Sequence, residues 1–264
     1  MIKYFATAVI FMGAIACKKD KDPDITNNLL KSITWDNGMT AHFTYTDNHL
    51  QHIEYTFQTA KGKTVFQWNG GKLAEMYDEQ SLYKNVYAYN NDGTVSTLRN
   101  RMKAGTSPNG YLFEFKYRND KKLDSLKRYI INEAGQQLKA ASGYHYYANG
   151  DLKEVITAYG DDVITHVIDG YSAAVSFDPA HYISPSLEEN YPVYNYALMS
   201  QLKNRLPLKV SRVVKLGAEP AFVDKIEAHV YTISNNRIDK VVTTLSYPDM
   251  SENNKVTESV YSYY

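Results

Sequence analysis

Three histidines near the start of the chain are the best candidates for metal ligands. His42, His49 and His52 stand around one predicted turn, where an H-x-x-H spacing could bring imidazole nitrogens onto a Zn²⁺ ion. No further Cys or carboxylate follows at ligand spacing. We therefore expect surface histidines here, and neither a metal nor another cofactor.

Two acidic pairs are the best candidates for acid–base catalysis. Asp161–Asp162 and Glu188–Glu189 fall in predicted loops, and paired carboxylates hydrolyse glycosidic bonds only when a cleft holds them at a set separation. The chain contains no nucleophile elbow, zinc-protease, P-loop or dinucleotide-binding motif. We therefore expect no catalytic residue. A carbohydrate-active enzyme with its site in residues 157–224 is the alternative.

The only cysteine, Cys17, lies between an apolar run and a burst of charge. A short basic start with Lys3 precedes the apolar residues 5–15, which are fewer than the roughly 20 that a membrane-spanning helix needs. The small residues Ala14 and Ala16 stand just before the cysteine. This A-I-A-C stretch resembles the lipobox of bacterial lipoproteins, in which the thiol is alkylated with diacylglycerol and the chain is cut before it.

The lipobox resemblance implies that the chain has three parts. Residues 1–16 would be the signal peptide, 17–24 a lipidated polar tether, and 25–264 the folded domain. Two or three acyl chains, at about 0.8 kcal/mol per buried CH₂, would hold the protein durably to a membrane. We expect lipid anchoring at the outer membrane, with the cell surface and the periplasmic face both open. Lipidation of the only thiol would also leave the chain without a disulfide.

Composition predicts a folded β protein without a nucleic-acid partner. Lys plus Arg and Asp plus Glu both number 29, so no net charge steers the chain toward a polyanion. Tyrosine is abundant at 24 residues, and tyrosine suits half-buried strands.

A short pattern recurs along the chain. Alternating aromatic residues lead into an Asn, Asp or Gly turn, and an aliphatic residue opens the return segment, which is typical of a β-hairpin. The copies span residues 42–50, 65–73, 86–95, 113–123, 144–152 and 230–238. The predicted fold is therefore all-β, an antiparallel sheet of repeated hairpins that forms either a curved single sheet or a barrel.

One feature of the hairpins leaves three structures open. The aliphatic residue after each turn is followed three positions later by another, as in Leu50 and Ile53 or Leu73 and Met76. Such residues face opposite sides of a regular strand. Either the first residue tucks under the turn, or a β-bulge follows it, or both faces of the sheet are partly covered.

The repeat breaks between about residues 157 and 224. Residues 193–205 are the best helix candidate, because Tyr194, Leu198 and Leu202 share one face and Pro207 follows. Hairpins are expected to resume near Lys225, and the chain ends in a strand-like segment.

Together, the lipoprotein start, the Y-x-Y hairpins and the R-L-P-L after the candidate helix resemble a family of Bacteroidetes lipoproteins of unknown function with a porin-like fold. The resemblance covers residues 25–264. The hairpin unit is also similar to the YD repeats of Rhs-type proteins. The family implies a curved antiparallel sheet or barrel and supplies no catalytic residues. C-K-K-D-K-D further resembles mature lipoprotein starts that are linked to export to the cell surface.

We expect a non-catalytic binding or scaffolding module of the cell envelope, with a glycan or an envelope protein as partner. The aromatic residues either build the sheet or form a sugar-binding platform. A membrane-embedded barrel is a further alternative, because the alternation in residues 113–118 suits an apolar-out wall. Several predicted strands are nevertheless shorter than the 9–11 residues that a transmembrane strand needs.

Overall fold

The computed structural model describes residues 29–104, 109–176 and 205–264. Within these ranges sixteen antiparallel strands follow one another in chain order, and β16 pairs with β1 to close a barrel. The all-β prediction is confirmed, and of the two predicted forms the barrel is the correct one. The strands are β1 Leu30–Trp35, β2 Thr40–Thr46, β3 His49–Phe57, β4 Ala60–Asn69, β5 Lys72–Asp78, β6 Tyr83–Tyr89, β7 Val95–Met102, β8 Gly110–Tyr117, β9 Leu123–Asn132, β10 Gly135–Tyr146, β11 Leu152–Tyr159, β12 Asp162–Ile168, β13 Lys209–Lys215, β14 Phe222–Ser234, β15 Arg237–Ser246 and β16 Lys255–Tyr263.

The tight turns are made by residues that tolerate positive φ. Asp47 and Asn48 have φ of 50° and 62°, and Asn235 and Asn236 have φ of 49° and 60°. Two successive positive φ values match the two-residue hairpin turns whose twist suits a β-ribbon. The turn residues in the sequence therefore fix where each of these hairpins reverses.

The barrel has two distinct ends, because successive turns of an up-and-down barrel alternate between them. We call the end with the start of β1 and the end of β16 the proximal end. It also carries the turns β2–β3, β4–β5, β6–β7, β8–β9, β10–β11 and β14–β15. The opposite end is the distal end. Tyr264 N donates to Leu29 O at 3.1 Å, so the two ends of the described chain meet at the proximal end.

A β-bulge after each proximal turn resolves the three-residue spacing. In the β2–β3 hairpin Tyr45 pairs with Leu50 and Thr44 pairs with His52, so Gln51 is the extra residue. The extra residue shifts the phase of the strand, and Leu50 and Ile53 both face inward. The same shift occurs in β4–β5, β6–β7, β8–β9, β10–β11 and β14–β15.

The apolar core fills the proximal part of the barrel. The residues that the bulges turn inward, such as Leu73, Leu98, Leu123 and Leu152, are at most 1% exposed. Each such side chain contributes about 1.5–3 kcal/mol of burial free energy. The largest fully buried side chains of the core are Leu30, Ile33, Phe43, Leu50, Ile53, Leu73, Leu98, Leu123, Leu152 and Ile168.

The predicted break in the repeat is only partly correct. Two further strands, β12 and β13, pair with each other inside the segment, although aromatic residues and a tight turn are missing there. Of the predicted helix, residues 193–204 lie outside the described residues, and Arg205 is irregular. The helical segment among the described residues is one 3-10 turn, Ser251–Asn253, and no helix in those ranges is long and apolar enough to cross a bilayer.

Candidate functional site

The three candidate histidines have separate surroundings and do not form a common set of ligands. His42 is exposed, His52 lies 3.7 Å from Glu54 Oε1, and the His49 ring lies 4.8 Å from the Trp68 ring. No three potential ligands come together anywhere in the ranges that the structure describes.

The first candidate pair of carboxylates lies at a turn, and its two members have different surroundings. Asp161 is exposed at the β11–β12 turn, and Asp162 Oδ1 accepts a hydrogen bond from Gly217 N at 2.9 Å. Glu188, Glu189 and Cys17 lie outside the described residues. Of the candidate acidic residues, the structure therefore describes Asp161 and Asp162, and it places them at a turn.

The aspartates at the turns have two roles. Asp92 Oδ1 accepts hydrogen bonds from Thr94 Oγ1 at 2.7 Å and Thr94 N at 3.0 Å, and these bonds lower its pKa. Asp151 instead is buried, and Arg205 Nη1 donates to its Oδ2 at 2.6 Å. Sequence reasoning recognised the turn role but missed this buried ion pair, because Arg205 is far from Asp151 in the chain.

Aromatic side chains donate hydrogen bonds to backbone carbonyl oxygens beside the bulges. Trp68 Nε1 donates to Leu50 O, Tyr89 OH to Leu73 O, and Tyr146 OH to Leu123 O, each at 2.7 Å. In each case the donor belongs to the next hairpin, and the acceptor is the residue that opens the bulged strand. Tyr171 and Tyr263 make the same kind of bond to Leu152 O and Ile238 O. We call these donors the aromatic ladder.

Cations lie over the tyrosine rings of the ladder. Lys72 Nζ lies 5.2 Å from the Tyr89 ring, Lys122 Nζ lies 5.1 Å from the Tyr146 ring, and Arg237 Cζ lies 5.2 Å from the Tyr263 ring. Burial raises the pKa of Tyr263 to about 12, so its hydroxyl remains a donor at physiological pH. Because both the hydroxyls and the ring faces already have partners, the ladder favours a structural role over a sugar-binding platform.

Strands β12 to β14 carry polar residues toward the lumen. His166 pairs with Arg212, which pairs with Lys225, so the three side chains share the inner face. Glu227 and His229 follow on the same face and are buried. We call these five residues the inner polar wall. Sequence reasoning missed it, because the alternation in K-I-E-A-H-V looks the same whether its polar face points in or out.

The inner polar wall is held together by charge pairs. Arg212 Nη1 donates to Asp224 Oδ2, and Lys225 Nζ lies 3.3 Å from Glu227 Oε1. His229 Nδ1 lies 3.0 Å from Thr243 Oγ1, within hydrogen-bond distance.

Both histidines of the wall are neutral at physiological pH. Burial, with help from the charges of Lys225 and Arg212, lowers the pKa of His166 to about 3. Burial lowers the pKa of His229 to about 4. Because His229 is uncharged, its 3.9 Å approach to Glu227 Oε2 is not an ion pair at neutral pH.

The lumen opens to solvent at the distal end. Phe57, Tyr83 and Phe222 follow the inward phase of their strands, yet 41%, 41% and 42% of their surfaces are exposed. Tyr111 and Ile130 lie one step deeper and are directly opposed across β8 and β9. We call these five residues the distal mouth.

One arginine lies in the lumen beyond the distal mouth. Arg128 is flanked by Phe113 and the small Ala140 on the neighbouring strands, and its guanidinium carbon reaches across Ala140 to within 5.5 Å of the Tyr159 ring. Its buried Nε has no hydrogen-bond partner, and no carboxylate pairs with it among the described residues.

Two solved structures share this architecture. They are porin-like proteins from Bacteroides uniformis ATCC 8492 and Bacteroides vulgatus ATCC 8482, at 12% and 11% sequence identity. Each aligns with 90% of this chain and 99% of its own length, with a TM-score of 0.59. No protein-family model and no curated protein matches the chain.

The fold is therefore a porin-like antiparallel β-barrel. This confirms the architecture that the family resemblance implied. At 12% sequence identity, the structural similarity supports the assignment of the fold and supports no statement about function. The lipid anchor, the membership in a lipoprotein family and the likeness to YD repeats stay predictions.

Proposed function

We propose that the chain is an outer-membrane lipoprotein, anchored through Cys17, whose barrel stands in water as a non-catalytic binding or scaffolding module. The observation that carries this proposal is the chemistry of the outer wall. Lys84 Nζ lies 2.8 Å from Glu75 Oε1, and Lys240 Nζ lies 2.6 Å from Glu258 Oε2. These residues alternate with inward-facing ones, so the pairs lie on the outer face of the strands.

Charged pairs on the outer wall oppose a lipid-embedded barrel. A transmembrane barrel carries an apolar band about 25 Å tall around its whole circumference, with polar residues inside. Here the largest part of the barrel has the reverse arrangement, with the apolar core inside.

Strands β12 to β14 supply the observation that favours the alternative of a membrane barrel. Their outward residues include Val163, Val167, Val213, Ile226 and Val230, opposite the inner polar wall. This is the apolar-out pattern of a transmembrane strand, but three strands of sixteen do not form a belt. Because these outward apolar residues are confined to three neighbouring strands, the barrel that faces water remains the better proposal.

The position of the described N-terminus supports an anchor at the proximal end. The chain between Cys17 and Leu29 has twelve residue steps (29 − 17 = 12), which span at most about 40 Å when extended. The distal mouth would then face away from the anchoring membrane.

The test is membrane fractionation together with protease accessibility on intact cells. The wild-type chain should stay with the membrane, and Cys17→Ala should be released into the soluble fraction. If protease digests the wild type on intact cells, the barrel faces the outside. Protection until lysis would place it in the periplasm. If Cys17→Ala stays in the membrane after an alkaline wash, the lipoprotein proposal is wrong and the membrane barrel takes its place.

The residue that directly follows the cysteine, Lys18, supplies a matched control variant. Lys18→Ala removes a neighbouring side chain and keeps the thiol. This variant should fractionate like the wild type, because the anchor depends on the cysteine.

A further inference from the structure

We propose that the distal mouth binds an amphipathic carboxylate, whose apolar tail lies against the mouth and whose carboxylate pairs with Arg128 in the lumen. The proposal rests on the proposed function as a binding module and names the chemical class of its ligand.

The first argument is the apolar lining of an open mouth. Inward-facing aromatic side chains that are about two-fifths exposed, such as Phe57, Tyr83 and Phe222, leave apolar surface in contact with water inside the barrel. Covering that surface is worth about 25 cal/mol per Å². Ligand sites in proteins often lie in the mouths of β-barrels and combine such a lining with a few polar groups.

The second argument is the charge of Arg128. The two cations of the inner polar wall, Arg212 and Lys225, have Asp224 and Glu227 as partners. Arg128 instead rests on the Tyr159 ring, and within the described ranges its buried Nε has no hydrogen-bond acceptor. A carboxylate is the acceptor that fits a guanidinium best, because two parallel N–H···O bonds can form.

The third argument is the order of these groups along the lumen. Tyr111 and Ile130 are the deepest residues of the distal mouth, and Phe113 and Arg128 lie one inward step further along the same two strands. A ligand that enters from the distal end therefore passes the apolar lining before its head reaches the guanidinium. This order selects a molecule with a charged head and an extended apolar tail. A neutral oligosaccharide would leave the positive charge of Arg128 without an opposite charge.

The experiment measures binding of 11-(dansylamino)undecanoic acid and of its methyl ester to the full chain carrying Cys17→Ala, by dansyl fluorescence. We expect saturable binding of the acid and at least tenfold weaker binding of the ester. Arg128→Gln should weaken acid binding about tenfold or more and leave ester binding unchanged, since a charge-assisted hydrogen bond is lost. Arg128→Lys should keep part of the preference for the acid.

Two further variants separate the site from general effects. Phe57→Ser should weaken binding of the acid and binding of the ester to the same extent, because it removes part of the apolar lining that both tails contact. Arg99→Gln removes an exposed arginine of β7 and should change the binding of neither the acid nor the ester. Circular dichroism and thermal unfolding check that each variant is folded.

The following results would overturn the proposal. They are no saturable binding of the acid, equal binding of acid and ester, and acid binding that folded Arg128→Gln leaves unchanged. Displacement of the probe by a neutral oligosaccharide but not by dodecanoic acid would overturn it as well. Because these measurements use unlipidated protein, their failure is distinct from a failure of the anchor, which fractionation of Cys17→Ala measures separately.

Discussion

His166 and His229 make the inner polar wall sensitive to acid. In the folded protein both are neutral, because burial holds their pKa values at about 3 and about 4. In the unfolded chain a histidine has a pKa near 6.5. Below that pH the unfolded chain therefore takes up protons that the folded barrel does not, and acid favours unfolding. The stability is complete above about pH 6.5 and falls as the pH drops toward 4.

We expect the free energy of unfolding to decrease between pH 6.5 and 5 by up to about 1.4 kcal/mol per pH unit for each of these histidines. His229→Gln should make this dependence shallower, since one of the two proton-uptake sites is gone. Urea unfolding at several pH values measures it. His42→Gln, at an exposed position, is the matched control and should keep the wild-type slope. An unchanged slope in His229→Gln would contradict the buried, neutral state.

At the scale of the element, the positions of the hairpins could be predicted from the sequence, but which face of each strand points into the barrel could not. The turns follow from local chemistry, such as Asp47–Asn48, and the aromatic alternation marks the strands before them. The phase of an alternating strand says nothing about which face points inward. This is why the sequence did not reveal the inward position of Glu227 and His229. The bulge at Gln51 was one of three explanations for the spacing, because only the pairing between strands distinguishes them.

The aromatic ladder should stabilise each bulge through one hydrogen bond. Tyr146→Phe removes the donor to Leu123 O and leaves a carbonyl in a partly buried site without its partner. We expect a loss of about 1–3 kcal/mol in the free energy of unfolding, measured with urea. Tyr77→Phe is the control, because the Tyr77 hydroxyl lies on the exposed outer face and has a 3.4 Å contact to Gln67. Equal effects of the two variants would contradict a special role of the ladder.

The whole molecule combines two kinds of wall in one closed barrel. Most strands have apolar residues inside and charged residues outside. Strands β12 to β14 instead combine the inner polar wall with apolar inward residues such as Ile168 and Val210, and they carry valines outside. Closure is what the sequence could not show, because β1 and β16 are at opposite ends of the chain and no local pattern links them. The pairing of Thr34 with Val260 and the bond from Tyr264 OH to Phe43 O at 2.8 Å hold this seam.

A disulfide across the seam tests the closure. Directly opposed residues of antiparallel strands have Cα atoms about 4.5–5.5 Å apart, within the range that a disulfide accepts. In a Cys17→Ala background, Thr34→Cys with Val260→Cys should therefore oxidise, and the oxidised form should unfold at a higher temperature than the reduced form because the cross-link closes almost the whole chain.

Thr34→Cys with Lys240→Cys is the control. Lys240 pairs with Val260 from the far side, so two strand spacings, about 9.6 Å, separate it from Thr34 and no disulfide should form. Failure of the first pair to oxidise in the folded protein would mean that β1 and β16 do not meet in solution and that the sheet is open there.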